Sequence, residues 1–200
     1  MTDPFAYPAA PLVRRHGPQG YSDYQSHRPW LRDEFTFRCV YCLLREQWGQ
    51  MRGAHAIDHF LPVAQYPNRA DDYDNLVYAC TACNGVKRDR LVPDATAVLT
   101  APGVWVSGDG IIHSDNPEAA RLIELLGLDS EQAIELRMLW LGIIALAAAS
   151  DPELYQRLMG FPADLPDLAR LRPPGGNKRP DGIEQSYYAR RRSGRLPEVY

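Results

Sequence analysis

The second half of the chain carries the plainest pattern of apolar and polar positions. After Asn116-Pro117 the stretch EAARLIELLGL reads as a helix, with Asn116 as its N-cap and Pro117 at its first position. Asp129 or Ser130 opens a longer helix running through Ala149, and Ser150 or Asp151 opens a third over PELYQRLMG. The Leu/Ile/Ala stripe across 119–149 is read as core. Its most apolar part, LWLGIIALAAA from Leu139 to Ala149, is shorter than the ~20 residues a bilayer requires and is expected to be a buried helix. Between 96 and 113 the runs AVLT, VWV and IIH are broken by Pro-Gly and Gly-Asp-Gly, which suggests a small hairpin or meander. Further upstream, Ile57, Phe60, Leu61 and Val63 frame the polar pair Asp58-His59 as a strand. Asn75-Leu-Val-Tyr-Ala reads as a second short strand, and Asn84 to Arg90 as a short helix.

The ends of the chain lack such a period. Residues 1–30, rich in Pro, Gly, Tyr and Arg, are expected to form an extended or poorly ordered arm. Residues 31–95 form the candidate core unit, 96–170 a β-hairpin plus helical accessory region, and 171–200 a basic flexible tail.

Composition narrows the classes. Two hundred residues suffice for one sizeable domain. A net charge of −3 and a pI near 5.9 argue against a protein that coats nucleic acid nonspecifically, so contact with a polyanion requires a local basic patch. The first residues hold no apolar run of signal-peptide length, which predicts a cytoplasmic, reducing setting with no membrane association. Structural disulfides are then not expected, and the four cysteines need another purpose.

Those cysteines are paired as Cys39-Val-Tyr-Cys42 and Cys80-Thr-Ala-Cys83, with the 37 residues 43–79 between the pairs. Each Cys-x-x-Cys places two sulfurs on one tetrahedral ion from a tight turn, and two such knuckles close a four-thiolate zinc site. The count leaves no spare thiol and supports one zinc per chain. Such a site is coordinatively closed, so this ion holds the fold and does no chemistry. The long spacing means that something is inserted between the knuckles.

The insert ends in HAIDHFLPVAQYPNRADDYDNLVYA, and the second knuckle runs on as ACTACNGVK. The series C-x2-C, IDHFLPV, DNLVYAC-x2-CN-x2-K resembles the zinc-containing HNH endonucleases of the His-Me finger (ββα-metal) superfamily. The resemblance covers Cys39 to about Arg88 and implies an α+β fold, a zinc-stapled ββα core followed by the small β element and the helical region. It implies that His59 is the general base acting on water, and that Asp58 and Asn84 hold a catalytic Mg²⁺ or Mn²⁺. It further implies that Asn75 braces the loop and the catalytic His, and that Lys87 lies one helical turn past the last metal ligand. The chemistry of these side chains agrees. Imidazole is basic near neutral pH, and a carboxylate with an amide oxygen suits a hard cation that keeps several waters. Adjacent strand residues point to opposite faces, so convergence of Asp58 and His59 on one ion requires a twist or bulge. Lys87, one turn beyond Asn84, is expected to meet a phosphate together with Arg88.

Plainer readings stand beside these. Asp58-His59 could be surface polar residues, Asn84 an ordinary N-cap, Asn75 structural, and Lys87 with Arg88 solvated charges. His55 could share a strand face with His59, and His113 has no partner in the sequence. In the tail, Arg172, Lys178, Arg179, Arg190, Arg191, Arg192 and Arg195 oppose only Asp181, Glu184 and Glu198. With Tyr187 and Tyr188 beside them, Arg190, Arg191 and Arg192 suit a nucleic-acid backbone. The reading is thus a metal-dependent DNA endonuclease, with no residue that excludes RNA. The alternatives are a non-catalytic zinc-stabilised binding module, or a nuclease subunit active only within a larger, for example defence, complex. The helical region would supply a protein-partner or homo-oligomer contact.

Overall fold

The computed structural model describes residues 2–48, 54–174 and 180–200. The centre is a two-stranded antiparallel sheet and one helix. β1 (His55–His59) pairs with β2 (Leu76–Cys80), from His55↔Cys80 to His59↔Leu76. Every residue of β2 is buried, which accounts for its continuous apolar run. The helix that follows directly is capped by Cys80, whose sulfur accepts the Cys83 amide. Ahead of this unit α1 (Arg28–Glu34) packs on β2, and its Trp30 and Leu31 are fully buried. α1 ends where Thr36 and Phe37 adopt positive φ.

The helix after β2 is α2 (Thr81–Lys87), and α3 (Ala95–Val98) is capped by Asp94. A hairpin of β3 (Val104–Val106) and β4 (Ile112–Ser114) leads into α4 (Pro117–Leu126), α5 (Glu131–Ser150) and α6 (Pro152–Met159). The helix starts follow the expected chemistry. Asn116 caps α4 with Pro117 in its first turn, Ser130 caps α5 and Asp151 caps α6. Gly127 closes α4 in the left-handed region at φ 62°. Gly110, at φ 78°, is required for a second reason: a Cβ there would sit 2.8 Å from the Ile134 carbonyl of α5.

Two expectations give way. The first concerns the ends. Residues 2–30 do not stand off as an arm: Phe5 and Tyr7 are core residues, and the Tyr7 hydroxyl donates to the Tyr41 carbonyl at 2.8 Å. The tail returns as α7 (Tyr187–Arg192), and Tyr200 packs on Phe161 and beneath Arg45. A buried pair of carboxylates draws both ends in. Asp33 receives His16 Nε2 at 2.9 Å and the Tyr187 amide at 2.8 Å. Glu34 receives the Arg15 and His16 amides at 2.8 and 3.0 Å, and the Tyr73 hydroxyl at 3.1 Å. These partners lie far away in sequence, so no local pattern announces them. Lys178 and Arg179 of the expected basic tail lie outside the described residues.

Both carboxylates are fully buried, so removing one strands the donors aimed at it. Asp33→Ala is expected to destabilise the protein by about 3–5 kcal/mol, the cost typical of breaking a buried charged contact. Urea unfolding checks the magnitude. Hydrogen exchange checks the mechanism, because the Tyr187 amide should lose protection before β2 does.

The second correction concerns α5. It spans 20 residues with a mean hydropathy of 1.6 in its most apolar window, yet only 17 % of that window is buried. Leu139 and Leu146 are 59 % and 69 % exposed. The expected buried helix is instead anchored at a few points. Trp140 stacks on Trp48 at 4.6 Å, and Arg137 donates to the Gly110 and Leu128 carbonyls. From Met138 to Ala149 the helix is apolar all round, so composition could not show which side faces inward. By length and composition it could also cross a membrane, the one such helix among the described residues.

Candidate active site and metal centre

The cysteines meet. Cys39 and Cys42 come from a tight loop closed by the Cys39 amide on the Leu44 carbonyl and by Leu43 at φ 61°. Cys80 and Cys83 come from the end of β2 and the first turn of α2. Their four sulfurs lie within 4.8 Å of one another. The Val40 amide donates to the Tyr78 carbonyl, so the first knuckle is pinned to β2 beside the second. Burial pushes the Cys39 thiol up, and four thiolates this close require a cation among them. The donor set suits zinc.

β1 carries the polar pair. Its pairing with β2 stays one-to-one through Asp58↔Val77 and His59↔Leu76, so of the twist or bulge expected there the bulge does not form. Asp58 and His59 therefore present their side chains to opposite faces. Asp58 points inward and is 4 % exposed. Its Oδ2 receives the Tyr41 hydroxyl at 2.7 Å, and its Oδ1 receives Lys87 Nζ at 3.0 Å. Burial raises the Asp58 carboxyl, with Lys87 and then Tyr41 pulling it back. Burial, then the Asp58 charge, raises Tyr41, which is therefore the donor in that contact.

Lys87 is where the structure departs most from expectation. It is fully buried and does not reach outward to a phosphate. Its ammonium lies between the Asp58 carboxylate and the His59 carbonyl oxygen, 2.7 Å from the latter. The end of α2 is thus tied to the end of β1 by one charge. Arg88, next along, ends the helix at φ 50° and is exposed.

His59 is half-buried, with its ring edge-on to Tyr24 at 4.8 Å. Its Nε2 lies 2.9 Å from the Ala70 carbonyl. A carbonyl only accepts, so Nε2 carries the proton and Nδ1 keeps the basic lone pair. Asn75 holds the loop that supplies Ala70. Its Oδ1 accepts from the Leu61 amide at 2.8 Å, and its Nδ2 donates to the Leu61 and Arg69 carbonyls at 3.1 and 3.0 Å. Asn84 sits half-exposed on α2, and its side-chain amide has no hydrogen-bond partner among the described residues. His55 is buried, stacked on Tyr78, with Nε2 3.0 Å from the Leu44 carbonyl, and so belongs to the framework of the first knuckle. His113 stacks on Trp105 in the β3–β4 hairpin.

Two residues of this site had no signal in the sequence. Tyr41 lies between two metal-ligating cysteines, where its spacing marks only a turn. Tyr24 comes from the N-terminal stretch that lacks any period. In the tail, Arg191 is spent on the Pro162 and Ala163 carbonyls, and Arg190 packs over the Tyr187 ring. Arg192 is exposed.

A ββα unit stapled by a four-thiolate centre, with an Asp-His pair closing its first strand, defines a zinc-type ββα-metal core. Residues 39–90 match the family model of the HNH endonucleases, 52 of the 200 residues. That segment is an HNH endonuclease domain of the zinc type. No curated protein matches the chain.

The catalytic divalent ion that this family implies can be tested against the residues present. Asp58 and Asn84 offer hard oxygen donors. The Lys87 ammonium lies against Asp58 Oδ1 and the His59 carbonyl, so these two oxygens already face one positive charge. In donor type the residues fit, while the single charge of Asp58 is already balanced by Lys87.

Proposed function

We propose that this protein is a metal-dependent endonuclease that hydrolyses phosphodiester bonds in DNA. The observation that carries the reading is His59: within an HNH domain, its imidazole is held in one tautomer by Ala70, leaving Nδ1 as the free base. His59 Nδ1 takes the proton of the attacking water, and the Asn75-braced loop keeps the ring in that orientation. Asp58 and Asn84 are the residues that would hold Mg²⁺ or Mn²⁺, which when bound supplies Lewis acidity at the scissile phosphate. By family resemblance the products carry 5′-phosphate and 3′-hydroxyl ends. The test is plasmid cleavage at low salt with Mg²⁺ or Mn²⁺, wild type beside His59→Ala, both zinc-loaded.

Arg88 and Arg192 are the exposed basic residues assigned to the DNA backbone; Arg191 is also exposed but is hydrogen-bonded to the Pro162 and Ala163 carbonyls, and Arg190 is half-buried over Tyr187. Replacing Arg88 and Arg192 by Gln should weaken DNA binding. For every phosphate no longer neutralised, the slope of log affinity against log salt should flatten by about 0.9. An unchanged slope, measured by fluorescence anisotropy over a salt series, would remove these residues from the interface.

The exposed apolar α5 favours a second reading, in which this nuclease works as a subunit of a larger assembly. Wild-type protein with bound zinc and no cleavage of its own would support it.

A further inference from the structure

We propose that Lys87 is a built-in cation that occupies the seat of the divalent ion at Asp58 and sets how tightly the site takes a metal. The inference rests on the reading that the ion binds at Asp58. It goes beyond that reading by making metal binding an exchange against the protein's own lysine.

Three observations carry it. Lys87 is fully buried although it is the last residue of a seven-residue helix with exposed neighbours on both sides. A lysine that merely solvated that helix end would extend outward. Its ammonium touches the two oxygens on β1 best placed to bind a cation, Asp58 Oδ1 at 3.0 Å and the His59 carbonyl at 2.7 Å. The other carboxylate oxygen is held by Tyr41, so the carboxylate is fixed in place whichever cation faces it.

Two cations do not share such a seat. A divalent ion at Asp58 a few ångströms from an ammonium in a dry pocket is strongly repelled, and the carboxylate has one net charge to offer. Binding of the metal therefore requires the Lys87 ammonium to withdraw. The apparent affinity for metal is the intrinsic affinity reduced by that competition. Asn84 lies one turn before Lys87 on the same helix face, so the residue that would complete the ion's ligands and the residue that resists the ion move with one element.

The test uses the zinc-loaded full chain and Mn²⁺, with bound ion read by electron paramagnetic resonance and by Mn²⁺-dependent thermal shift. Neither readout depends on cleavage. Lys87→Met keeps the length of the side chain and removes the charge, leaving Asp58 buried without a counterion. It is expected to melt earlier than wild type in EDTA-free, Mn²⁺-free buffer and to bind Mn²⁺ roughly 5–150-fold more tightly, the range typical of coupled sites. Its Mn²⁺-induced rise in melting temperature should exceed that of wild type. Equal or weaker Mn²⁺ affinity in Lys87→Met would overturn the proposal and leave Lys87 a structural partner. Should that variant not fold, Lys87→Gln serves, since its neutral amide can still donate to Asp58 or the His59 carbonyl. The same tighter Mn²⁺ binding is expected of it, and equal or weaker affinity overturns the proposal. Failure of the nuclease reading is separate: it shows as cleavage indifferent to His59→Ala, whatever Mn²⁺ does.

Discussion

Stripping zinc from the four-cysteine centre, or replacing Cys83 by Ser, is expected to unfold the HNH domain. The sheet has only two strands of five residues, and its helix has seven. Elements of that size are marginal in isolation. The cysteines tie three of them together: the loop after α1, the end of β2 and the start of α2. A structural zinc site contributes about 10–16 kcal/mol of apparent binding free energy, which equals or exceeds the whole stability of an ordinary domain, about 5–15 kcal/mol. Loss of the ion also leaves four mutually close thiols in a mostly buried pocket. Circular dichroism and thermal melting before and after chelation, with zinc counted colorimetrically, check this. Restoring zinc should restore the fold. A chelated protein with an unchanged melting curve would contradict it.

His59→Ala is expected to lower cleavage by about 10²–10⁴-fold, the contribution typical of a positioned general base. The fold should survive. The imidazole is half-buried, and it gives up one hydrogen bond to Ala70 and one edge contact with Tyr24. Stability should fall by only about 1 kcal/mol. A large loss of rate with a small loss of stability distinguishes a chemical role from a structural one. Cleavage equal to that of wild type would take His59 out of the chemistry.

Much of the core is legible in the sequence because its signals are local. Two Cys-x-x-Cys pairs specify their own turns, the apolar run before Cys80 is a buried strand, and Asn116, Ser130 and Asp151 cap helices through their own side chains. What stays hidden depends on distant partners. The packing of residues 2–30 and of the tail rests on Asp33 and Glu34, whose contacts reach His16, Tyr73 and Tyr187. The direction of Lys87 is hidden for the same reason. Helical spacing places it on the face of Asn84, but only the fold reveals that β1 presents a carboxylate and a carbonyl to that face. The exposure of α5 escapes a sequence reading because a helix apolar on every side has no period to read.

Tyr41 stands between two of the zinc-binding cysteines, and its hydroxyl holds the Asp58 carboxylate. If Asp58 holds the divalent ion as proposed, the two metal positions are ordered in time. Until the first knuckle closes, Tyr41 has no fixed place, and Asp58 lacks one of the contacts that aim it. Newly made chains should become competent to bind Mg²⁺ or Mn²⁺ only after acquiring zinc, and the supply of zinc during synthesis would then decide how many of them ever cut.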